Sequence, residues 1–166
     1  MVVSAHPDDE ILGCGGTIAK LASRGEEIAV LFVAEGESAR FRRDQLESVL
    51  VKQKIEERNS NAVKALGAVG VMSANVTFLD FTCCRLDQIP IIDVTKKIEE
   101  AVSSFNPSCI FCNAANDTNI DHRVVFNATL AAARPLKSPS LRSIYCFEVL
   151  SSTEWNTTRP FRPTHF

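Results

Sequence analysis

Ile28-Ala29-Val30-Leu31-Phe32-Val33-Ala34 is an unbroken apolar run, set between Gly25-Glu26-Glu27 and Glu35-Gly36-Glu37-Ser38. A strand with one wet face alternates polar and apolar residues. A short run of Val, Leu and Phe without alternation suits a strand covered on both faces, as in a parallel sheet between helical layers. Upstream, Ile11, Cys14, Ile18, Leu21 and Ala22 keep a helical period from Glu10 onward, and Gly25 supplies a stop. Before that helix, Met1 to Ala5 reads as the end of another buried strand. Downstream, a long polar stretch from about Arg40 to Leu66 reads as a helix with its apolar face at Ile55, Asn59, Ala62 and Leu66, ended by Gly67. Val76 to Phe81 is expected as a third strand. Pro90 fits the first turn of a helix carrying Val94, Ile98, Ala101, Val102 and Phe105. Cys109 to Cys112 is expected as a fourth strand. Val125, Ala128, Thr129 and Ala132 define a helix capped by Asp121 and closed by Arg134-Pro135, and Ser143 to Leu150 completes a fifth strand.

Strands alternating with helices give an α/β fold, a Rossmann-like three-layer sandwich with a mainly parallel sheet. At 166 residues the chain is read as a single domain over 1–166 with a real core, incomplete at its C-terminus because it stops near where a further strand is due. A net charge of −2 gives no reason to expect nucleic acid as a partner. No apolar run reaches the length of a membrane span and no secretory signal opens the chain. The sequence leaves room for a homo-oligomer. Cys14, Cys83, Cys84, Cys109, Cys112 and Cys146 are scattered, and Cys109-x-x-Cys112 has no second pair at matching distance. They are read as buried structural thiols, which places the chain in the cytoplasm and leaves the sequons at Asn75, Asn116, Asn127 and Asn156 without meaning.

Ligands of open α/β sheets bind outside the carboxyl ends of the strands. His6, Asp8 and Asp9 follow the first strand and His122 follows the fourth, so topology brings them to one edge. Of the 3 histidines in the chain, two lie in these segments. A His-Asp-His set with open positions is what a catalytic zinc requires, with a further carboxylate as base; the residues alone leave open whether Asp8 or Asp9 is the ligand. Each residue also has an ordinary structural explanation: a satisfied core histidine, or helix caps from Asp8, Asp9 and the start of the His122 helix. Gly13, Gly15 and Gly16 do not fit a dinucleotide-binding loop and are read as close helix–sheet packing. Arg40, Arg42 and Arg43 can reach an anionic substrate group, although a solvated helix start explains them better.

Ala5-His6-Pro7-Asp8-Asp9-Glu10, followed by Gly13-Cys14-Gly15-Gly16-Thr17, resembles the opening motif of the LmbE/PIG-L family of zinc-dependent N-acetylglucosamine deacetylases. Asp121-His122-Arg123-Val124 is similar to that family's second motif, and Glu35-Gly36-Glu37-Ser38 and Phe78-Leu79-Asp80-Phe81 fall where members carry similar segments. The resemblance implies a Zn2+ held by His6, Asp9 and His122, Asp8 as general base, and hydrolysis of the linear amide C–N bond of an N-acetylated sugar. Asn119, Asp121, Arg40 and Arg85 are expected among the substrate contacts. Many members carry a histidine where this chain has Asn119; an asparagine can donate a hydrogen bond to an oxyanion but brings no charge. Thr82-Cys83-Cys84-Arg85 stands where a Pro-Asp-Asn-Arg loop is often found. Two other classes compete: a non-haem iron oxygenase using His6, Asp8 and His122, and a degenerate member acting as a binding module.

Overall fold

The computed structural model describes residues 1–134 and 140–165. Strands β1 (Val2–Ser4), β2 (Val30–Ala34), β3 (Val76–Phe81), β4 (Cys109–Asn113) and β5 (Ser143–Phe147) alternate with helices α1 (Asp9–Ala22), α2 (Val49–Ala68), α3 (Ile91–Phe105) and α4 (Ile120–Ala132). The strands form one sheet in the order β3-β2-β1-β4-β5, with every pairing parallel.

The reason is visible in β2, whose residues are all buried. Val30 and Phe32 face one layer with Cys14 and Ile18 of α1 and Ala62 and Leu66 of α2. Leu31 and Val33 face the other, with Val94, Ile98 and Val102 of α3 and Val125, Ala128 and Ala132 of α4. Each such side chain, taken wholly out of water, contributes about 1.5–3 kcal/mol, so the sheet is stable only with helices on both faces. From β1 the chain first builds outward through β2 and β3, then returns to lay β4 against β1's other side. The carboxyl ends of β1 and β4 therefore flank the crevice where the winding reverses, the place where such sheets bind ligands.

Several sequence expectations shift. The segment from Arg40 does not enter a helix: Ser38–Arg40 and Arg43–Gln45 are short 3-10 turns. Helix α2 starts only at Val49, where the Ser48 hydroxyl accepts from Val51 N at 3.3 Å. Gly67 lies inside that helix; the left-handed residue after it is Gly70, at φ +91°. Pro90 is the N-cap of α3 rather than part of its first turn. Strand β5 stops at Phe147, because Val149 N turns to the Thr153 hydroxyl at 2.8 Å. The expected stop at Pro135 lies outside the described residues; α4 itself ends at Ala132. The cysteines are not uniformly buried: Cys84 and Cys146 are exposed and Cys109 is half-buried. All six are free thiols.

Close packing explains only one of the first helix's glycines. A Cβ on Gly13 would run into the Phe147 ring and meet the Glu148 carbonyl oxygen at 2.9 Å, whereas one on Gly16 would meet nothing within 4 Å. Gly13→Ala is expected to lower stability by about 1–3 kcal/mol through overpacking. Gly16→Ala, in an open helical position, should raise it by about 0.5–1 kcal/mol. Urea midpoints of the two variants check this; equal midpoints would show that α1 does not rest on Phe147.

Candidate metal centre

The two ends of the crevice are tied by one asparagine. Asn113, the last residue of β4, accepts from Ala5 N through Oδ1 at 2.9 Å and donates Nδ2 to Asp9 Oδ2 at 3.2 Å. Asp9 in turn accepts from His6 N at 3.0 Å. That bond fixes the turn between β1 and α1, so neither aspartate caps the helix with its side chain: Asp8 is the N-cap residue without a capping bond. Asp121 does not cap α4 either. The N-cap is Asn119, whose Oδ1 accepts from Asp121 N at 2.9 Å. This frees the Asp121 carboxylate to accept from Cys84 N at 2.5 Å and Leu86 N at 3.1 Å.

Each histidine has one nitrogen claimed by a carboxylate. His6 Nε2 lies 3.0 Å from Asp121 Oδ2, and His122 Nδ1 lies 2.9 Å from Asp117 Oδ2. Asp121 and Asp117 are both fully buried. The His6 contact is a hydrogen bond, whereas His122 Nδ1 meets Asp117 by charge and distance without hydrogen-bond alignment; a carboxylate so placed favours the N–H on the nitrogen facing it and, in the neutral ring, leaves the other free to ligate. Those inner nitrogens meet each other and Asp9: His6 Nδ1 to His122 Nε2 is 3.3 Å, His122 Nε2 to Asp9 Oδ2 is 3.2 Å, and His6 Nδ1 to Asp9 Oδ2 is 3.5 Å. Hydrogens on both inner nitrogens can each bond Asp9 but set two charged rings against each other at 3.3 Å, whereas one divalent cation joins all three side chains. The donor set fits a metal. The carboxylates also favour positive charge here, carried by the imidazoles until a cation displaces their inner hydrogens. Burial opposes charge on His122, but Asp117 and Asp9 outweigh it and raise its pKa to about 9. Burial likewise opposes the charge on Asp9, yet the hydrogen bonds from His122 and His6 hold its carboxyl well below the usual range.

Asp8 sits apart from this set. Its carboxylate points into the cleft and pairs with Arg58 Nη2 at 2.7 Å, and its backbone is held at φ 147°, a conformation that costs an ordinary residue about 1–3 kcal/mol. Burial first, then the charge of Asp9, raises its pKa, against the pull of Arg58. The triad His6, Asp8 and His122 required by an iron-oxygenase reading is therefore not assembled; Asp9 takes the inward place.

The cleft of ≈ 360 Å³ over the centre is lined by His6, Asp8, Asp9 and His122 together with Arg40, Arg58, Cys83, Cys84, Asn119 and Ser152. Asp8, Arg40 and Arg58 also line a larger groove of ≈ 730 Å³ that runs over α1 and α2. Of the arginines considered, Arg40 reaches both and pairs with Glu37 at 3.3 Å. Arg42 pairs with Asp44 at the surface. Arg43 is exposed and lines neither the cleft nor the groove. Arg85 does not line the cleft, and its Nε is buried without a partner. Asp121, expected beside the substrate, stands behind His6.

The supporting shell was not read from the sequence. Asp117 accepts from the hydroxyls of Ser152 at 2.9 Å and Thr153 at 2.6 Å, which ties the tail to the centre. Its signal was a carboxylate in the polar loop shortly before His122. Arg58 joins Asp8 to Glu37, the latter at 2.9 Å, and nothing in the helical pattern singled it out. Glu35, at the end of β2, is buried and accepts from Glu37 N at 2.6 Å, Ser38 N at 3.0 Å, Cys83 N at 2.8 Å and the Ser38 hydroxyl. Removing it leaves those donors buried and unpaired, at about 1–3 kcal/mol each. Glu35→Ala should therefore lower stability by at least about 2 kcal/mol and speed hydrogen exchange at the Ser38 and Cys83 amides before others. Unchanged exchange there would show that the two loops are held by other means.

The PIG-L family model, described as GlcNAc-PI de-N-acetylase, matches residues 1–133. The uncharacterized deacetylase YaiS of Escherichia coli K12 is 26% identical over 141 residues, which covers 82% of this chain and 68% of that one. Among solved structures, the N,N'-diacetylchitobiose deacetylase of Pyrococcus horikoshii is similar with a TM-score of 0.70 at 19% identity, over 88% of this chain and 58% of its own. The 4-carboxy-2-hydroxymuconate hydratase of Pseudomonas putida KT2440 is similar with a TM-score of 0.61 at 25% identity, over 79% of this chain and 53% of its own. The chain thus spans little more than half the length of these two structures. With the family model matching through α4, the chain belongs to the PIG-L family.

Proposed function

We propose that this protein is a zinc-dependent hydrolase that removes the N-acetyl group from an amino sugar, such as an N-acetylglucosamine glycoside. One observation carries the reading: the inner nitrogens of His6 and His122 converge on Asp9 Oδ2 at 3.2–3.5 Å while each outer nitrogen lies 2.9–3.0 Å from a buried carboxylate. His6, Asp9 and His122 hold the metal, which when bound polarises the acetyl carbonyl and acidifies a water. Asp8, outside the donor set and open to the cleft, takes the water's proton and delivers it to the leaving nitrogen. Arg58 keeps Asp8 turned toward the cleft. Asn119 commits its Oδ1 to the helix cap, so its Nδ2 is the group that donates to the carbonyl oxygen. Arg40 lies where cleft and groove join and contacts the rest of the substrate. The family description names an N-acetylglucosamine substrate, and the similar Pyrococcus enzyme is named for an N-acetylated disaccharide; both support an amino sugar here.

Among the described residues no helix is long and apolar enough to cross a membrane. A cytoplasmic location is in keeping with six unpaired thiols. The binding-module reading finds no support, since metal set and base stand together in one cleft.

Acetate release from a panel of N-acetylglucosamine glycosides, paired with metal analysis, tests the reaction. Chelation should abolish release and Zn2+ should restore it. Asp8→Asn should keep the metal and lose turnover by about 10²–10⁴-fold, whereas Asp9→Asn should lose the metal. Asp117→Asn should weaken metal binding by about 10–100-fold through its effect on His122. Full turnover in metal-replete Asp8→Asn would remove Asp8 from its role. Metal bound with no acetate released, but with water added across a substrate double bond, would move the protein to the hydratase side of its structural relatives.

A further inference from the structure

Glu10 closes the opening motif, and none of the roles above uses it. It is fully buried in the first turn of α1. Its Oε2 accepts from Asp8 N at 3.0 Å, while its Oε1 is buried without a partner. A carboxylate so placed is costly to the fold. The backbone it holds is costly too, since Asp8 stands at φ 147°. An aspartate at a helix N-cap ordinarily turns its side chain onto the first amides of the helix. A capping box joins that bond to a second one, from the N-cap amide to an acid in the first turn. Here only the second bond is made: Glu10 holds the Asp8 amide, and the Asp8 carboxylate caps nothing.

We propose that Glu10 is a positioning residue for the base: it holds the Asp8 backbone in this conformation and so keeps the Asp8 carboxylate off the helix end and open to the cleft. The inference rests on the role given to Asp8 above. On one side of Asp8, its carbonyl accepts from Ile11 N at 3.1 Å and Leu12 N at 3.0 Å. On the other, Glu10 takes the amide. With both held, rotation about the Asp8 N–Cα bond is blocked. Arg58 holds only the far end of the side chain. Released from Glu10, Asp8 relaxes to negative φ, where its carboxylate can reach the amides of α1 and leaves the cleft. The metal set is spared, because Asp9 is fixed independently by His6 N and Asn113.

Two variants test this. Glu10→Met is unbranched and of similar volume, so it removes the acceptor without opening a cavity; Glu10→Gln keeps an acceptor oxygen. Hydrogen exchange at the Asp8 amide should quicken in Glu10→Met and stay slow in Glu10→Gln. Glu10→Met should bind Co2+ as wild type does and unfold at an equal or higher urea midpoint. On the panel of N-acetylglucosamine glycosides it should keep KM and lose kcat by about 100-fold, with most of the loss recovered in Glu10→Gln. Added to Asp8→Asn, Glu10→Met should cost nothing further, because it acts through Asp8. Unchanged exchange at Asp8, or wild-type kcat in Glu10→Met beside an inactive Asp8→Asn, would overturn the positioning role alone. A kcat loss that comes with lost Co2+ binding and a lower midpoint, or that adds to Asp8→Asn, would make Glu10 a structural residue and overturn it as well. Full turnover in Asp8→Asn would remove the base and this inference together.

Discussion

Everything at the crevice depends on two buried carboxylates facing outward nitrogens. Asp121 holds the outer nitrogen of His6 by a hydrogen bond, Asp117 lies 2.9 Å from that of His122, and the opposite nitrogens are thereby turned toward Asp9. An imidazole alone is indifferent to which nitrogen it presents. Here the choice is made by groups that come from the start of α4 and the loop before it, and the loops after β3 and β5 hold those groups in place. The centre is thus a property of the sheet's whole carboxyl edge, although its inner residues come from only two segments.

The same edge shows why charge can be gathered in a protein interior. Asp9, Glu10, Glu35, Asp117, Asp121 and both histidines are buried within a few residues of strand ends. Isolated, such groups would be neutralised by burial. Most are instead met by backbone amides, imidazoles or hydroxyls, and the one with a vacant oxygen, Glu10, responds as expected: burial pushes its carboxyl up to about 7.

The layers were legible because Ile28 to Ala34 and the helical stripes through α3 and α4 follow from burial alone, and the buried residues Val125, Ala128, Thr129 and Ala132 are those the period picks out. The meeting of His6 with His122 was legible from strand order. Dividing Asp8 from Asp9 was not: neighbouring residues of one type differ only in backbone angle, and the resemblance, not the periodicity, separated them. The stretch after Arg40 misled because its composition suits a helix, while the loop leading into it is held by Glu35, whose carboxylate joins the amides of Glu37 and Ser38 to that of Cys83, 48 residues on. Asp117 and Arg58 were missed for the same reason. Their importance lies in partners 35 and 50 residues away in the chain, and no local pattern records such pairs.

The groove over α1 and α2 is larger than the cleft it adjoins, at ≈ 730 Å³ against ≈ 360 Å³. Much of its wall is built from Leu12, Lys54, Glu57 and Asn61, which face solvent and carry none of the core. On the function proposed above, the groove's outer wall and the groups at the centre are largely different residues, with Asp8, Arg40 and Arg58 common to both. Drift along the outer faces of two helices can retune what is recognised while the groups that position the reacting atoms stay fixed. On the proposed function, such an arrangement lets one reaction be carried to many glycosides without rebuilding its centre.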